Sequence, residues 1–212
     1  MTPNMPAGTR SLLGAGAVVG PLYLAVGLIQ ALVREGFDLA KHPLSVLANG
    51  PGGWVQTANF VISGLMVLAA AVGLARALRP DGRGTSWFLG GFGLSMLVAA
   101  LFPADPVDGF PVGTPLGPPT TISTTGLVHF GAGTLGFVSL AISCFLAARA
   151  LSGRGAPGLA GLSLISGLVV LLGFFGGFVL PVGIAGIWLA VVVGWAWLTC
   201  VSLSLRGTAV RG

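Results

Sequence analysis

The sequence predicts an all-α membrane protein: one domain over residues 1–212, built as a bundle of six transmembrane helices. Three observations carry this. Apolar stretches near 11–33, 57–78, 85–103, 125–148, 159–180 and 184–205 are each about as long as a bilayer crossing requires; roughly 20 apolar residues span about 30 Å of hydrocarbon. Only 7% of the residues are charged, 54% are hydrophobic and the mean hydropathy is +0.97. A soluble domain carries about 25% charged residues. Finally, the basic residues fall on alternate connections. Arg10, Arg76, Arg79, Arg83, Arg149, Arg154, Arg206 and Arg211 share one side, against Arg34 and Lys41 on the other. The positive-inside rule then places both termini in the cytoplasm, in a multi-pass protein of the cell membrane with two long outer loops.

The first span follows Arg10 and runs about 23 residues. That is longer than a signal-peptide core, and no clear small-residue cleavage site follows, so it reads as a retained helix. Residues 34–56 form the first outer loop. Pro43 suits the first turn of a short helix, Leu44–Ala48 continue it, and Asn49-Gly50-Pro51-Gly52-Gly53 stop it. Trp54 marks the membrane interface. The second span ends in a short inner turn at Pro80-Asp81-Gly82, and the third runs to Pro103. The outer loop 104–124 continues this proline run with Pro106, Pro111, Pro115, Pro118 and Pro119. Such density excludes a helix and predicts extended backbone, lying in water or folded over the bundle. Spans four and five are joined on the inner side by residues 149–157. Spans five and six meet in a tight turn at Leu180-Pro181-Val182-Gly183.

The net charge of +5 does not indicate a nucleic-acid partner, because the basic residues are scattered without a stripe or interleaved aromatics. Cys144 and Cys200 share a depth near the reducing side and read as buried, unpaired thiols. The chain holds 36 glycines, and Gly16/Gly20, Gly173/Gly177 and Ala190/Gly194 have small-xxx-small spacing. This lets helix backbones approach closely, within the bundle or across a homo-oligomer contact.

Polar groups are costly in hydrocarbon, so each one inside a span needs a reason. His129 is the ionisable side chain lying within an apolar stretch, one turn into the fourth span from its outer end. Asp105 follows the third span at the same expected depth. An Asp–His pair there would orient the imidazole for acid–base chemistry. Gln56, Asn59 and Ser63 share one helical face of the second span and should point inward, since an unpartnered amide in hydrocarbon costs about 4–8 kcal/mol. With Asp38, His42, Ser45 and Trp54 from the first loop they make a candidate substrate-binding set in one outer-leaflet pocket. Asp108 reads as simply solvated. Metal-ligand spacing such as HExxH or CxxC does not occur, nor do P-loop, Rossmann or haem motifs, so neither a metal nor a cofactor is expected.

His42-Pro43-Leu44-Ser45, Gly53-Trp54-Val55-Gln56 with Asn59-Phe60 and Gly64, Phe102-Pro103-Ala104-Asp105 and His129 together resemble a known pattern. It is that of the bacterial membrane family called domain of unknown function 998. The resemblance covers nearly the whole length. It implies six helices and outer-side placement of these residues, with no assigned activity. A more distant similarity is to eukaryotic membrane proteins of lipid-anchor remodelling. The leading expectation is a protein that binds a membrane lipid or other hydrophobic small molecule in an outer-leaflet polar pocket, with His129 and Asp105 as candidate catalytic residues. The alternative is a non-catalytic accessory or transport subunit, in which the same polar groups hold helices together.

Overall fold

A computed structural model describes residues 5–119, 121–179 and 183–207, without side chains at 178 and 179. Among these residues are six α-helices: α1 (Ala7–Val33), α2 (Gly53–Ala77), α3 (Gly82–Leu101), α4 (Thr124–Ser152), α5 (Pro157–Val179) and α6 (Ile184–Gly207). All six are long and apolar enough to cross a membrane. The helices run a few residues beyond several of the apolar stretches. Residues such as Gly8, Arg10, Trp54 and Arg149 are compatible with a helix although they end a hydropathy run. The expected turn at 180–183 lies outside the described residues except for Gly183, and Arg211 lies outside them as well.

Each helix packs on its neighbour in sequence, and α6 returns to α1, closing a ring of six. The two ring-closing helices are antiparallel. A Cβ on Gly14 would lie 3.5 Å from the Arg206 guanidinium, while Gly20 faces Thr199 and Trp195 further along. One end of the bundle therefore carries the first turns of α1 and the last turns of α6 (the terminal end). The other carries the two long connections, 34–52 and 102–123 (the loop end).

The small-residue stripes are used inside this ring. Gly16 and Gly20 face α6. Gly173 lies against Gly186 and Ala190, where a Cβ would come within 2.7 Å of the Gly186 carbonyl. Gly177 meets Gly183 and Ile187, and Gly194 meets Leu140. Dispersion between closely approaching backbones holds helices together in lipid, where burying an apolar side chain gains little over leaving it in the tails. Large apolar side chains accordingly cover the outside, among them Leu32, Trp87, Leu135 and Leu172. Cys144 is buried, but Cys200 is exposed on this outer surface, a correction to the expectation of two buried thiols; both are free.

At the terminal end Arg154, in the α4–α5 connection, donates to the Ala77 carbonyl at 2.9 Å and to the Arg79 carbonyl. It thus satisfies acceptors that the end of α2 leaves without amide partners. The core here is closed: Leu74, Leu89, Cys144 and Ala147 are fully buried.

The loop end is built differently. Residues 44–48 form the short helix, as a 3-10 turn, η1 (Leu44–Ala48). Gly52 then begins α2 from a left-handed conformation (φ +83°). Gly53 sits so close to the Ala48 carbonyl that any side chain would collide with it. Among its described residues the proline-rich segment contains no helix. It is pinched by an isolated antiparallel bridge between Val107 and Phe110 and folds down over the bundle.

The two loops interlock. Arg34, the C-cap of α1, donates to the carbonyls of Leu47 (2.9 Å) and Asn49 (2.6 Å), and its guanidinium lies 5.1 Å from the Phe110 ring centroid. Burial pulls its pKa below the ordinary arginine value, a cost that these carbonyls and the ring offset. Asn49 Nδ2 donates to the Ala104 carbonyl at 2.9 Å. Phe110, 1% exposed, meets Phe37 edge-on and packs beside His42. Trp188 of α6 fastens the first loop from the other side, donating to the Leu39 carbonyl at 3.0 Å.

Candidate functional site

Beneath the interlocked loops the ring encloses a cavity of about 520 Å³, within the roughly 300–1,000 Å³ typical of small-molecule sites. Its walls are aromatic and aliphatic. Tyr23 comes from α1, Phe60 from α2, Phe92 and Met96 from α3, Phe137 and Leu140 from α4, Phe174 from α5, and Trp188 and Trp195 from α6. Its roof is loop: Pro43–Val46 from the first connection, and Ala104, Asp105 and Val107 from the second. Polar lining is sparse: Lys41, Ser45, Asp105 and His129 lie toward the roof, and Ser95 of α3 lies deeper, its hydroxyl donating to the Phe92 carbonyl at 2.7 Å.

His129 is set on the cavity face of α4, in the succession Gly126, His129, Gly133, Phe137, Leu140. That spacing is one helical stripe. The ring packs edge-on to Phe60, with centroids 6.2 Å apart. Its Nδ1 lies 2.8 Å from the Phe102 carbonyl. A carbonyl only accepts, so Nδ1 carries the proton and Nε2 of the neutral ring is the basic nitrogen. Phe102 is the C-cap of α3, where carbonyls lack helical partners, and Pro103 forbids the helix from continuing. The helix end therefore supplies the acceptor that orients the imidazole, the part the sequence reading assigned to Asp105.

Asp105 shares the rim but bonds elsewhere. Its carboxylate accepts from the Ser123 amide (3.1 Å) and the Ser123 hydroxyl. Ser123 is the N-cap of α4, and its Oγ in turn accepts from the Gly126 amide at 2.9 Å. The carboxylate thus sits at the positive end of the α4 dipole, a favourable place for an anion. It lies where a Cβ on residue 126 would be, so glycine is required there. Asp105 ties the second loop to the head of α4, one turn above His129.

The remaining predicted residues separate. Ser45 lines the cavity from η1. Gln56, Asn59 and Ser63 do share one inward face of α2, but it meets α1 instead of the cavity. Gln56 Oε1 accepts from Gln30 Nε2 at 2.9 Å and Asn59 Nδ2 at 3.3 Å. Gln56 Nε2 reaches the Tyr23 hydroxyl at 3.4 Å, Asn59 Nδ2 also donates to the Tyr23 carbonyl at 3.2 Å, and Ser63 donates to Asn59. Tyr23 connects the two sites, with its ring in the cavity wall and its hydroxyl in this seam. His42, fully buried, accepts at Nδ1 from the Asp38 amide (2.9 Å), and its Nε2 faces the Asp108 carbonyl at 3.1 Å, so it joins the two loops. Asp38 and His42 border a separate cleft on the loop surface. Asp108 is engaged instead of simply solvated: its Oδ1 accepts from the Gly117 amide at 2.8 Å, and Lys41 stands 4.0 Å from its Oδ2. Trp54 is exposed in the first turn of α2.

Sequence reasoning missed Lys41 as a cavity residue, having counted it only as a topology signal. It also missed the aromatic walls, although Trp188 and Trp195 stand seven residues apart, on one helical face.

No curated protein and no solved structure matches the chain. The family profile described as "Protein of unknown function (DUF998)" matches residues 17–204. That stretch takes in all of the cavity residues and both loops, so the chain belongs to this family, as a multi-pass membrane protein with six candidate membrane-spanning helices.

Proposed function

We propose that the protein binds a membrane lipid or another hydrophobic small molecule in the cavity beneath the loops. The observation that carries this reading is a roofed, aromatic-walled space of about 520 Å³ whose charged and imidazole side chains gather at one end. A bundle acting only as a scaffold would fill that space, because unfilled volume forfeits packing. His129 is the residue we assign to proton transfer, through Nε2, and Ser45 and Lys41 are its polar neighbours in the lining. Asp105 is a positioning residue that holds the second loop to α4. Gln56 and Asn59 support the wall behind Tyr23. We also assign the loop end to the outside of the cell membrane and both termini to the cytoplasm, from the distribution of basic residues.

The decisive measurement is the lipid complement of the purified protein by native mass spectrometry. Gly133 lines the cavity, and a Cβ there would meet nothing within 4 Å. Gly133→Trp should fold and lose its bound molecules. His129→Ala should keep most of its thermal stability and lose either affinity or turnover. A Gly133→Trp protein with an unchanged lipid complement overturns the cavity as the site. Orientation is tested separately by a cysteine at Gly82: an impermeant thiol reagent added to intact cells should leave it unmodified, and labelling reverses the assignment.

A further inference from the structure

Resting on that reading, we propose that the ligand is an alkyl-chain amphiphile with a hydroxyl-bearing head. It stands upright, head under the loops and chain toward the middle of the bundle, and the floor of the cavity measures its chain.

The depth of the cavity supports this. On α4 the lining runs from Gly126 to Leu140, fourteen residue-to-residue steps, and on α6 from Ile184 to Trp195, eleven. At 1.5 Å per residue these are about 21 Å and 16 Å. Half of a bilayer's hydrocarbon is about 15 Å. The cavity is therefore as deep as one leaflet, and its roofed end lies at the loop end, the level of a leaflet's headgroups.

Polarity runs the same way. Lys41, Ser45 and Asp105 come from the loops and His129 from the first turns of α4, whereas Phe92, Phe137, Leu140 and Trp195 line the deeper part, with Ser95, whose hydroxyl proton is already given to the Phe92 carbonyl. The polar end offers a carboxylate acceptor and a basic imidazole nitrogen, with Lys41 at its rim, its ammonium 4.0 Å from Asp108. A head with two hydroxyls donates to the carboxylate and to the imidazole nitrogen and still accepts from an ammonium. An anionic head would meet Lys41 but face Asp105.

The floor is rigid. Trp195 is wedged between Tyr23 (centroids 5.0 Å) and Phe92 (5.5 Å), and Leu140 presses on α6 at Gly194, where a Cβ would come within 2.7 Å of it. Inside a membrane a chain gains little by moving from lipid into an apolar cavity. Discrimination between chains then comes from fit, and a chain that overruns the floor must buckle or leave its head undocked.

The experiment uses the full chain, delipidated in detergent, with a ladder of 1-monoacylglycerols of increasing chain length read by native mass spectrometry. Pyrene serves as a compact apolar probe, and fatty acids of matched length test the head. Affinity should climb to an optimum chain length and then fall, with pyrene at least about tenfold weaker. Leu140→Ala should move the optimum to longer chains. Gly133→Leu, placed halfway down where a Cβ meets nothing within 4 Å, should move it to shorter ones even if Leu140→Ala fails to fold. The ruler is overturned if pyrene binds as well as the best chain, or if no optimum exists and Gly133→Leu shifts nothing. Equal or tighter binding of the matched fatty acid overturns the head assignment. Either result leaves the cavity as a binding site, provided that Gly133→Trp still empties it. If no probe binds and Gly133→Trp keeps its native lipids, the underlying reading fails and the ruler with it.

Discussion

The terminal half and the loop half of this bundle are made from the same six helices and the same residue types, yet one is solid and the other hollow. In the terminal half Gly73 faces the α1 backbone at Leu13, with a Cβ-to-amide approach of 3.0 Å. In the loop half Gly133 faces the cavity with nothing within 4 Å. Glycine draws helices together in the first setting and leaves room in the second. The comparison teaches that glycine content alone does not distinguish a seam from a vestibule. What distinguishes them here is the opposing surface: small residues and backbone in one, and Phe, Tyr and Trp rings held apart by their own bulk in the other.

The same substitution placed in the two settings should separate them most sharply. Gly73→Leu puts a side chain against the α1 backbone at Leu12 and Leu13 in the terminal half, and an overpacking clash against backbone should cost about 3 kcal/mol. In detergent the protein should melt far lower or fail to assemble. Gly133→Leu should shift the melting temperature little, since leucine gains up to about 0.8 kcal/mol of helix propensity over glycine. Equal destabilisation by both would dissolve the distinction between the halves.

Removing the brace of the roof should have the next largest effect. Arg34→Ala loses two hydrogen bonds from a charged donor and the contact with Phe110, about 2 kcal/mol in all for this half-buried site. Protease sensitivity within residues 34–52 should rise before the helices melt. A melting curve and a digestion pattern like those of the native protein would show that the loops are held by something else.

The smallest effect is expected in the seam beside the cavity. Gln56→Leu removes bonds to Gln30, Asn59 and Tyr23. Interhelical hydrogen bonds in membranes average only about 0.6 kcal/mol, so the loss should be about 1 kcal/mol, seen as a modest fall in thermal stability. Ligand affinity should change less than in His129→Ala, because Gln56 reaches the cavity only through Tyr23. The reverse order would put Gln56 in direct contact with the ligand.

These contrasts also mark what could be read in the sequence. The six helices were legible because a bilayer sets a minimum apolar length, and the short helix at 44–48 because Pro43 and Gly50 bracket it. The inward direction of Gln56 and Asn59 was legible from the cost of an amide in lipid. Their neighbour was not, since a polar face says only that a helix turns inward and not which helix it meets. The cavity walls were illegible for a related reason. In a soluble protein the apolar side of a helix marks the core, whereas here lipid and cavity are both apolar, and Phe137 facing inward reads the same as Leu135 facing outward. His129 stood out because a titratable ring in such a run has few innocent explanations. Its orientation by the Phe102 carbonyl, in place of Asp105, depended on where α3 stops, a boundary that sequence locates only to within a few residues.

The fastening of the two loops bears on the speed of exchange. Arg34 touches both of them, His42 bridges Asp38 to Asp108, and Asn49 reaches across to Ala104. Neither loop can lift by itself without breaking pins that belong to the other, so opening toward water requires both to move together. A molecule seated beneath them dissociates into the aqueous phase only as often as the whole clasp lets go. Its residence time is thereby governed by the loops, and its affinity by the walls.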